Sequence, residues 1–356
     1  MSDLPRFTFG IIVLNNEPFT RYLLRQLYPF AHQIIVVEGA APASSHAADP
    51  RGHSTDGTQE ALRRFRAEED PDGKVTVVTA EDEGHPDGFW PGEKEEMSAA
   101  YARRATGDWL WQVDGDEFYR EADLQEVVRL VREYPDASTM SFRLRTFWGS
   151  LEYYADGPFL RGRSVGCECH RLFRWKPGFR YVSHRPATVV DADGVDLRRK
   201  SWLDHRFTAR RGICLFHYSL LFPRQVMEKA QYYVNRRVPT RERDVEWAEA
   251  CWLRLSDPFR VHNCQDYPAW LERYSGRHPE QIELMWQDIQ AGRLSMPTRD
   301  MADVERLMRD PVFRLERALL RCWPPHEWNL RRGGYRLDQV FYRMASRFGS
   351  RWRRAA

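Results

Sequence analysis

Hydrophobic and polar positions alternate along the first third of the chain in a strand-then-helix rhythm. Phe7 to Leu14 is apolar and β-branched, and Asn15-Asn16-Glu17-Pro18 stops it. Phe19 to Tyr28 then follows a helical period, with Tyr22, Leu23 and Leu27 on one face. Gln33 to Val37 is a second buried-strand run ending at Glu38-Gly39, and residues 40 to 54, small, polar and Pro-containing, predict a long mobile loop. Capping side chains between Ser54 and Thr58 open a helix through about Arg66. Lys74 to Thr79 and Trp109 to Val113 are the third and fourth strands, with a helix over Glu93 to Ala105 between them. This order predicts an α/β fold, a Rossmann-like, mostly parallel sheet flanked by helices with its site at the carboxyl ends of the strands.

The rhythm changes after Asp116. Leu124 to Tyr134 reads as one helix, and Thr139 to Trp148 alternates like an exposed-edge or half-buried strand. Arg171 to Trp175 and Phe179 to Val182 flank Lys176-Pro177-Gly178, a hairpin signature. Cys214 to Leu220 is another strand, Pro223 starts a helix, and the remainder reads mostly helical, a C-terminal extension. The expected organisation is a catalytic domain over 1–222, a helical region over 223–335, and a basic amphipathic helix over 336–356. In that last segment Leu337, Val340, Phe341, Met344, Phe348 and Trp352 fall at helical spacing among six arginines. It reads either as an interfacial helix drawn to anionic lipid or as a docked terminal helix with a solvated basic face.

Composition narrows the function classes. The net charge of +3 resides at the tail of a nearly neutral body, which argues against a nucleic-acid partner. No apolar run approaches the roughly 20 residues that span a bilayer, and the first residues hold no apolar signal segment. Six scattered cysteines suggest reduced thiols. The expectation is a cytoplasmic protein, with a peripheral contact on the inner membrane face through 336–356. Cys167-Glu-Cys169-His170 lacks a standard zinc spacing and reads better as core thiols.

The chemistry concentrates at Trp109-Leu-Trp-Gln-Val-Asp-Gly-Asp-Glu117, where a buried-strand run ends in three carboxylates. Buried carboxylates are costly unless paired or bound to a cation, and hard oxygen ligands suit Mg²⁺ or Mn²⁺ carrying substrate phosphates. Around this acidic tip the chain offers Ile11-Ile-Val-Leu-Asn-Asn-Glu17, Ile34-Ile-Val-Val-Glu38, Ser54-Thr-Asp-Gly-Thr58, a lysine-bearing helix, Arg171-Leu-Phe-Arg and His217-Tyr-Ser-Leu. In that order the pieces resemble the GT-A glycosyltransferases of family 2 and their bacterial relatives, over roughly residues 7 to 235.

The resemblance implies a Mn²⁺- or Mg²⁺-dependent enzyme transferring a sugar from a nucleotide-diphosphate donor to a hydroxyl, the cation neutralising the leaving group. UDP-sugars are the favoured donors, although GDP- or dTDP-sugars fit the same residues. The acceptor would be a glycan, a lipid-linked saccharide or a small molecule. Asp116 is the implied direct metal ligand, and Asp114 would face the ribose or the metal's water shell. His217 is a further ligand or a packed core histidine, and Glu117 a ligand or an arginine partner. Glu38, Asn15, Glu17 and Asp56 fall at donor-binding positions. Glu38 could instead cap the next turn, and Asp56 could cap the following helix. Lys94 would meet the diphosphate or sit in solvent.

An inverting reaction needs a base. Glu168 ranks first, with Asp156 and Asp191 behind it. His184 is a catalytic-site residue beside Arg185, which stands where some relatives carry Glu. A retaining reaction would need no such base. Among Phe89, Trp90, Trp148, Tyr153 and Tyr154, Trp90 is the foremost sugar-stacking candidate and core packing is expected for most others. Two rival readings are a sugar nucleotidylyltransferase, whose Gly-rich basic loop is missing after the first strand, and a non-catalytic nucleotide-sugar-binding protein of the same fold.

Overall fold

The computed structural model describes residues 5–157, 160, 169–238, 241–263 and 268–322. Glu168, Cys167 and the 336–356 segment lie outside the described residues. In chain order the strands are β1 (Phe7–Val13), β2 (Ala31–Glu38), β3 (Val75–Val78), β4 (Trp109–Asp114), β5 (Glu117–Phe118), β6 (Thr139–Phe142), β7 (Leu144–Trp148), β8 (Ser150–Asp156), β9 (Cys169–Arg174), β10 (Arg180–His184), β11 (Ala187–Val190), β12 (Trp202–Leu203), β13 (Leu215–Leu220) and β14 (Trp270–Arg273). The helices are α1 (Thr20–Leu27), α2 (Thr58–Glu68), α3 (Glu93–Arg104), α4 (Glu121–Glu133), α5 (His205–Arg210), α6 (Pro223–Asn235), α7 (Asp244–Trp247), α8 (Glu280–Gln290), α9 (Ala302–Arg309) and α10 (Pro311–Cys322).

The chain divides into two compact units. One comprises residues up to Leu144, Glu168–His217 and Arg277–Met296; the other comprises Arg145–Cys167, Tyr218–Gly276 and the residues from Pro297 on.

The first unit is built on a seven-stranded sheet in the order β12-β6-β9-β4-β1-β2-β3. Its spine is parallel: β4, β1, β2 and β3 run side by side, with Ile11 opposite both Val36 and Val113. Phe9, Ile34, Ile35, Val37, Leu110 and Val113 are fully buried, as a strand covered on both faces requires. This is the mixed α/β, mostly parallel sheet flanked by helices that the sequence pattern predicts. Glycine at position 10 has a packing reason: a Cβ there would stand 2.4 Å from the ring of Tyr101 on α3. The α1 helix is tied down by buried Gln26, which bonds both the N–H and the carbonyl of Tyr119, and by Tyr22, which donates to Asp288 of α8.

Two expectations beyond Asp116 are corrected. The alternating run 139–148 is two strands: β6 pairs with β9 in the seven-stranded sheet, while β7 pairs antiparallel with β8. The hairpin expected around Lys176–Gly178 does not form either. Leu172 and Phe173 of β9 are fully buried between β4 and β6, and β10 pairs instead with β11. Burial on both flanks outweighs a favourable turn sequence.

In the second unit, Trp148, Tyr153, Ala155, Trp247, Trp252 and Leu271 share one apolar core with α6 residues Val226 and Ala230. Arg299 lies over the faces of Trp148 and Trp252 while pairing with Asp303.

Candidate active site

The loops at the carboxyl ends of β1, β2 and β4 are stitched together before any ligand is considered. Asn15 takes positive φ and reaches into the loop after β2, donating from Nδ2 to the Ala47 carbonyl at 2.6 Å and accepting from Thr55 N–H at 2.8 Å. The Asn16 carbonyl accepts from Phe19 N–H at 2.8 Å, its own N–H donates to Thr58 Oγ1 at 2.7 Å, and its side chain lies where Gly115 leaves room. A Cβ on residue 115 would stand 2.0 Å from Asn16 Oδ1, so any side chain between the two aspartates would displace Asn16 from its place in the first loop. Asp56 accepts from Glu17 N–H at 2.8 Å and from Thr58 N–H at 3.0 Å, so it fixes the start of α2 and the first loop at once.

The 40–54 segment is therefore not the mobile loop its composition predicts. Buried Glu38 organises it, accepting from Ser54 N–H at 2.7 Å and from Gln59 Nε2 at 3.2 Å. His53 bridges two acids, with Nδ1 2.8 Å from Glu38 and Nε2 3.1 Å from Glu81. The backbones of Arg51–Gly52 and Gly88 also touch so closely that no Cβ fits at either glycine. The carboxylate of Glu38 is thus spent on the loop, the turn-capping alternative at that position.

Burial pushes the His53 imidazole down, but Glu38 and Glu81 together outweigh it and leave its pKa raised above 6.5. A raised histidine stabilises fully below its unfolded value, and that contribution is lost as pH rises through the folded value. Amide exchange across 40–54, corrected for intrinsic rates, is therefore expected to accelerate as pH rises above the ordinary histidine range, and His53→Gln should remove that dependence.

At the carboxyl end of β4 the acids separate into roles. Glu117 is 1% exposed and receives both Nε (2.8 Å) and Nη2 (2.6 Å) of Arg171 from β9. It is the arginine partner, not an open ligand. Asp114 sits 3.5 Å from the same guanidinium and 3.7 Å from Arg185. Burial alone would raise its pKa, but the charges of Arg171, Arg185 and Lys94 hold it well below the carboxylate range, so it stays ionised. Asp116 faces β13, which pairs with β5 through His217 opposite Glu117. This brings His217 Nε2 to 3.4 Å from Asp116 Oδ1.

A buried polar chain lies behind Asp114. Tyr181 of β10 donates to Gln112 Oε1, and Gln112 Nε2 lies 3.4 Å from Asp114 Oδ1. His184 Nδ1 is 2.9 Å from Ser98 Oγ of α3, while its Nε2 is buried with no hydrogen-bond partner among the described residues. Burial, with Lys94, Arg185 and Arg171 nearby, overrides the pull of Asp114 and keeps this imidazole well below pKa 6.5, hence neutral. Sequence reading missed Gln112, Tyr181 and Ser98 as members of the site. The one available signal was the presence of polar residues in otherwise fully buried runs.

Other expected residues are placed as follows. Glu17 keeps a buried Oε1 with no partner among the described residues; burial and Asp56 raise its pKa against the lowering effect of Thr20. Asp191 is occupied by Lys200 and by the N–H groups of Asp193 and Val195, a turn-holding role that leaves it poorly suited as a base. Asp156 belongs to the second unit and accepts from Gly157 N–H. Trp90 is a correction: it is fully buried and its indole N–H donates to the Glu38 carbonyl, so it packs the loop rather than stacking on a sugar. Trp148 and Tyr153 are core, as expected.

Whether the residues fit a cation is a question of donor type and spacing. One carboxylate oxygen and one imidazole nitrogen 3.4 Å apart exceed the roughly 2.7–2.9 Å of a charge-assisted hydrogen bond. They match two adjacent donors on one cation at bond lengths of roughly 2.0–2.2 Å. Among the described residues there is no group of three or more His, Cys, Asp or Glu side chains set to hold a metal. A cation here would need oxygens from a substrate to complete its shell, which is how Mg²⁺-like ions bind phosphates.

No protein-family model matches the chain, and no curated protein matches it. Among solved structures, it is similar to S. aureus TarS 1-349 in complex with UDP, at 15% identity over 41% of this chain and 37% of that one, TM-score 0.29. It is similar to M. tuberculosis glucosyl-3-phosphoglycerate synthase in complex with Mn²⁺, UDP and glucosyl-3-phosphoglycerate, at 13% identity over 40% and 44%, TM-score 0.28. It is also similar to the Pyrobaculum calidifontis mannosyltransferase PcManGT in complex with GDP-Man and Mn²⁺, at 15% identity over 90% and 85%, TM-score 0.37. The chain spans less than half the length of the first two proteins. At these identities and scores, the chemistry of this chain has to be read from its own residues.

Proposed function

We propose that this chain is a metal-dependent glycosyltransferase that moves a sugar from a nucleotide-diphosphate donor to a hydroxyl acceptor. The observation that carries the reading is the meeting of Asp116 and His217, 3.4 Å apart, at the carboxyl end of β4 in a mostly parallel α/β sheet. Ligands in such sheets bind outside the carboxyl ends of the strands. Asp116 and His217 would hold Mn²⁺ or Mg²⁺, and the bound ion neutralises charge on the diphosphate leaving group.

The surrounding residues supply the rest. Asp114, kept ionised by its arginines, is available to a ribose hydroxyl or to the ion's water shell. Lys94 and Arg185 bring positive charge to the same carboxylate and can meet phosphate oxygens. Asn15, Asp56 and Glu38 build the wall of the donor cleft, and Glu17 offers its unpartnered oxygen to the base or ribose. His184 orients from beneath through Ser98. Glu168 is the proposed acceptor base. UDP is the proposed nucleotide.

A thermal-shift panel of UDP, GDP and dTDP with and without Mn²⁺ tests this. UDP should give the largest metal-dependent rise, about 2.7 kcal/mol at 100 times its dissociation constant. No metal-dependent shift with any nucleotide would contradict the reading.

A further inference from the structure

The second unit carries an arginine with no acidic partner among the described residues. Arg145, on β7, lies 5.0 Å from the ring centroid of Tyr154 on β8 and 4.9 Å from that of Tyr274, just beyond β14. The two rings meet at 89° with centroids 6.2 Å apart, so the guanidinium sits in the corner they form. Phe147, opposite Tyr154 in the strand pairing, closes edge-on against Tyr274 at 5.1 Å and stacks on Tyr218 at 4.9 Å, which stiffens that corner. Arg145, Tyr154 and Tyr274 are all half-buried.

Among the described residues Arg145 has no carboxylate in ion-pair reach and no hydrogen-bond acceptor; its contacts are the two rings. Other arginines of the same unit behave differently. Arg273 closes on Glu305 and Glu152, Arg299 on Asp303, and Arg317 on Glu272. A guanidinium held by aromatic faces keeps its edge donors for an outside acceptor, and its planar fork matches a carboxylate or phosphate. Half-exposed tyrosine rings beside it present flat apolar surface with a polar edge, which suits a sugar.

We infer that Arg145, Tyr154 and Tyr274 form a binding site for an acidic saccharide, a sugar bearing a phosphate or carboxylate. Arg145 holds the oxyanion bidentately and the tyrosines hold the ring.

The test is calorimetric titration of the full chain with glucose 6-phosphate, glucuronate and glucose, repeated with Arg145→Gln, Arg145→Lys and Tyr154→Leu. At least one acidic sugar should bind about 10- to 100-fold more tightly than glucose, and which one it is identifies the oxyanion. Arg145→Gln should abolish that preference, Arg145→Lys should keep part of it, and Tyr154→Leu should weaken all sugars alike. Thermal melting of each variant reports whether it folds. Equal binding of acidic and neutral sugars by the wild type would overturn the site, as would a preference that survives in a folded Arg145→Gln.

Discussion

Asp116→Ala is expected to lower metal-dependent donor turnover about 10³-fold while leaving the fold intact. The size follows from what the carboxylate does. Arg171 engages Asp114 and Glu117, whereas Asp116 lies 3.4 Å from His217. Removing a fixed charge that stabilises a developing oxyanion costs about 10²–10³ in rate, and losing an ion that neutralises a diphosphate leaving group belongs at the upper end. Stability should change little, because the side chain is partly exposed in a turn. His217→Ala should cost less, about 10–100-fold, since a cation can replace one neutral ligand with water. Release of nucleoside diphosphate from UDP-sugar with Mn²⁺ reads both. Full turnover in folded Asp116→Ala would sink the role.

Arg171→Ala is expected to be the most destabilising single change in the site, by about 3–5 kcal/mol. Glu117 is 1% exposed and takes two hydrogen bonds from this guanidinium, and Asp114 leans on it as well. Without Arg171 a buried carboxylate is left uncompensated, which costs far more than the intact pair contributes. For a unit of roughly 200 residues each kcal/mol lowers the melting temperature by about 2–4 °C, so a fall on the order of 10 °C should appear in calorimetry. Removing both charges with shape-preserving replacements, Arg171→Met with Glu117→Gln, should recover most of the loss. A double variant no more stable than Arg171→Ala would show that the pair is not the cause.

How much of this was legible in the sequence follows from range. The elements β1 to β4 and α1 to α4 were visible because apolar periodicity is local. Each run such as Ile34-Ile-Val-Val37 is buried on both faces and advertises it. Pairing is not local. The run 139–148 alternates smoothly, yet β6 and β7 join different partners. Lys176-Pro-Gly178 looks like a hairpin turn, yet β9 is drawn between β4 and β6. The 40–54 loop reads as mobile from composition because nothing in its own residues announces Glu38 beneath it.

The site divides in the same way. Asp114 and Asp116 stand out in the sequence because carboxylates at a strand end demand an explanation, and His217 because it lies within a strand of its own. Glu117 had two possible partners, and only the cross-strand position of Arg171 decides between them. The chain Tyr181–Gln112–Asp114 and the Ser98–His184 contact join distant segments, and no spacing rule reaches that far.

The most direct test of the central claim is electron paramagnetic resonance of Mn²⁺ titrated into the protein with UDP, for the wild type and for Asp116→Ala. The expected result is a bound-ion signal that requires both the nucleotide and Asp116 and weakens in His217→Ala. A bound-ion signal unchanged in Asp116→Ala, or no bound signal in the wild type at saturating UDP, would contradict it.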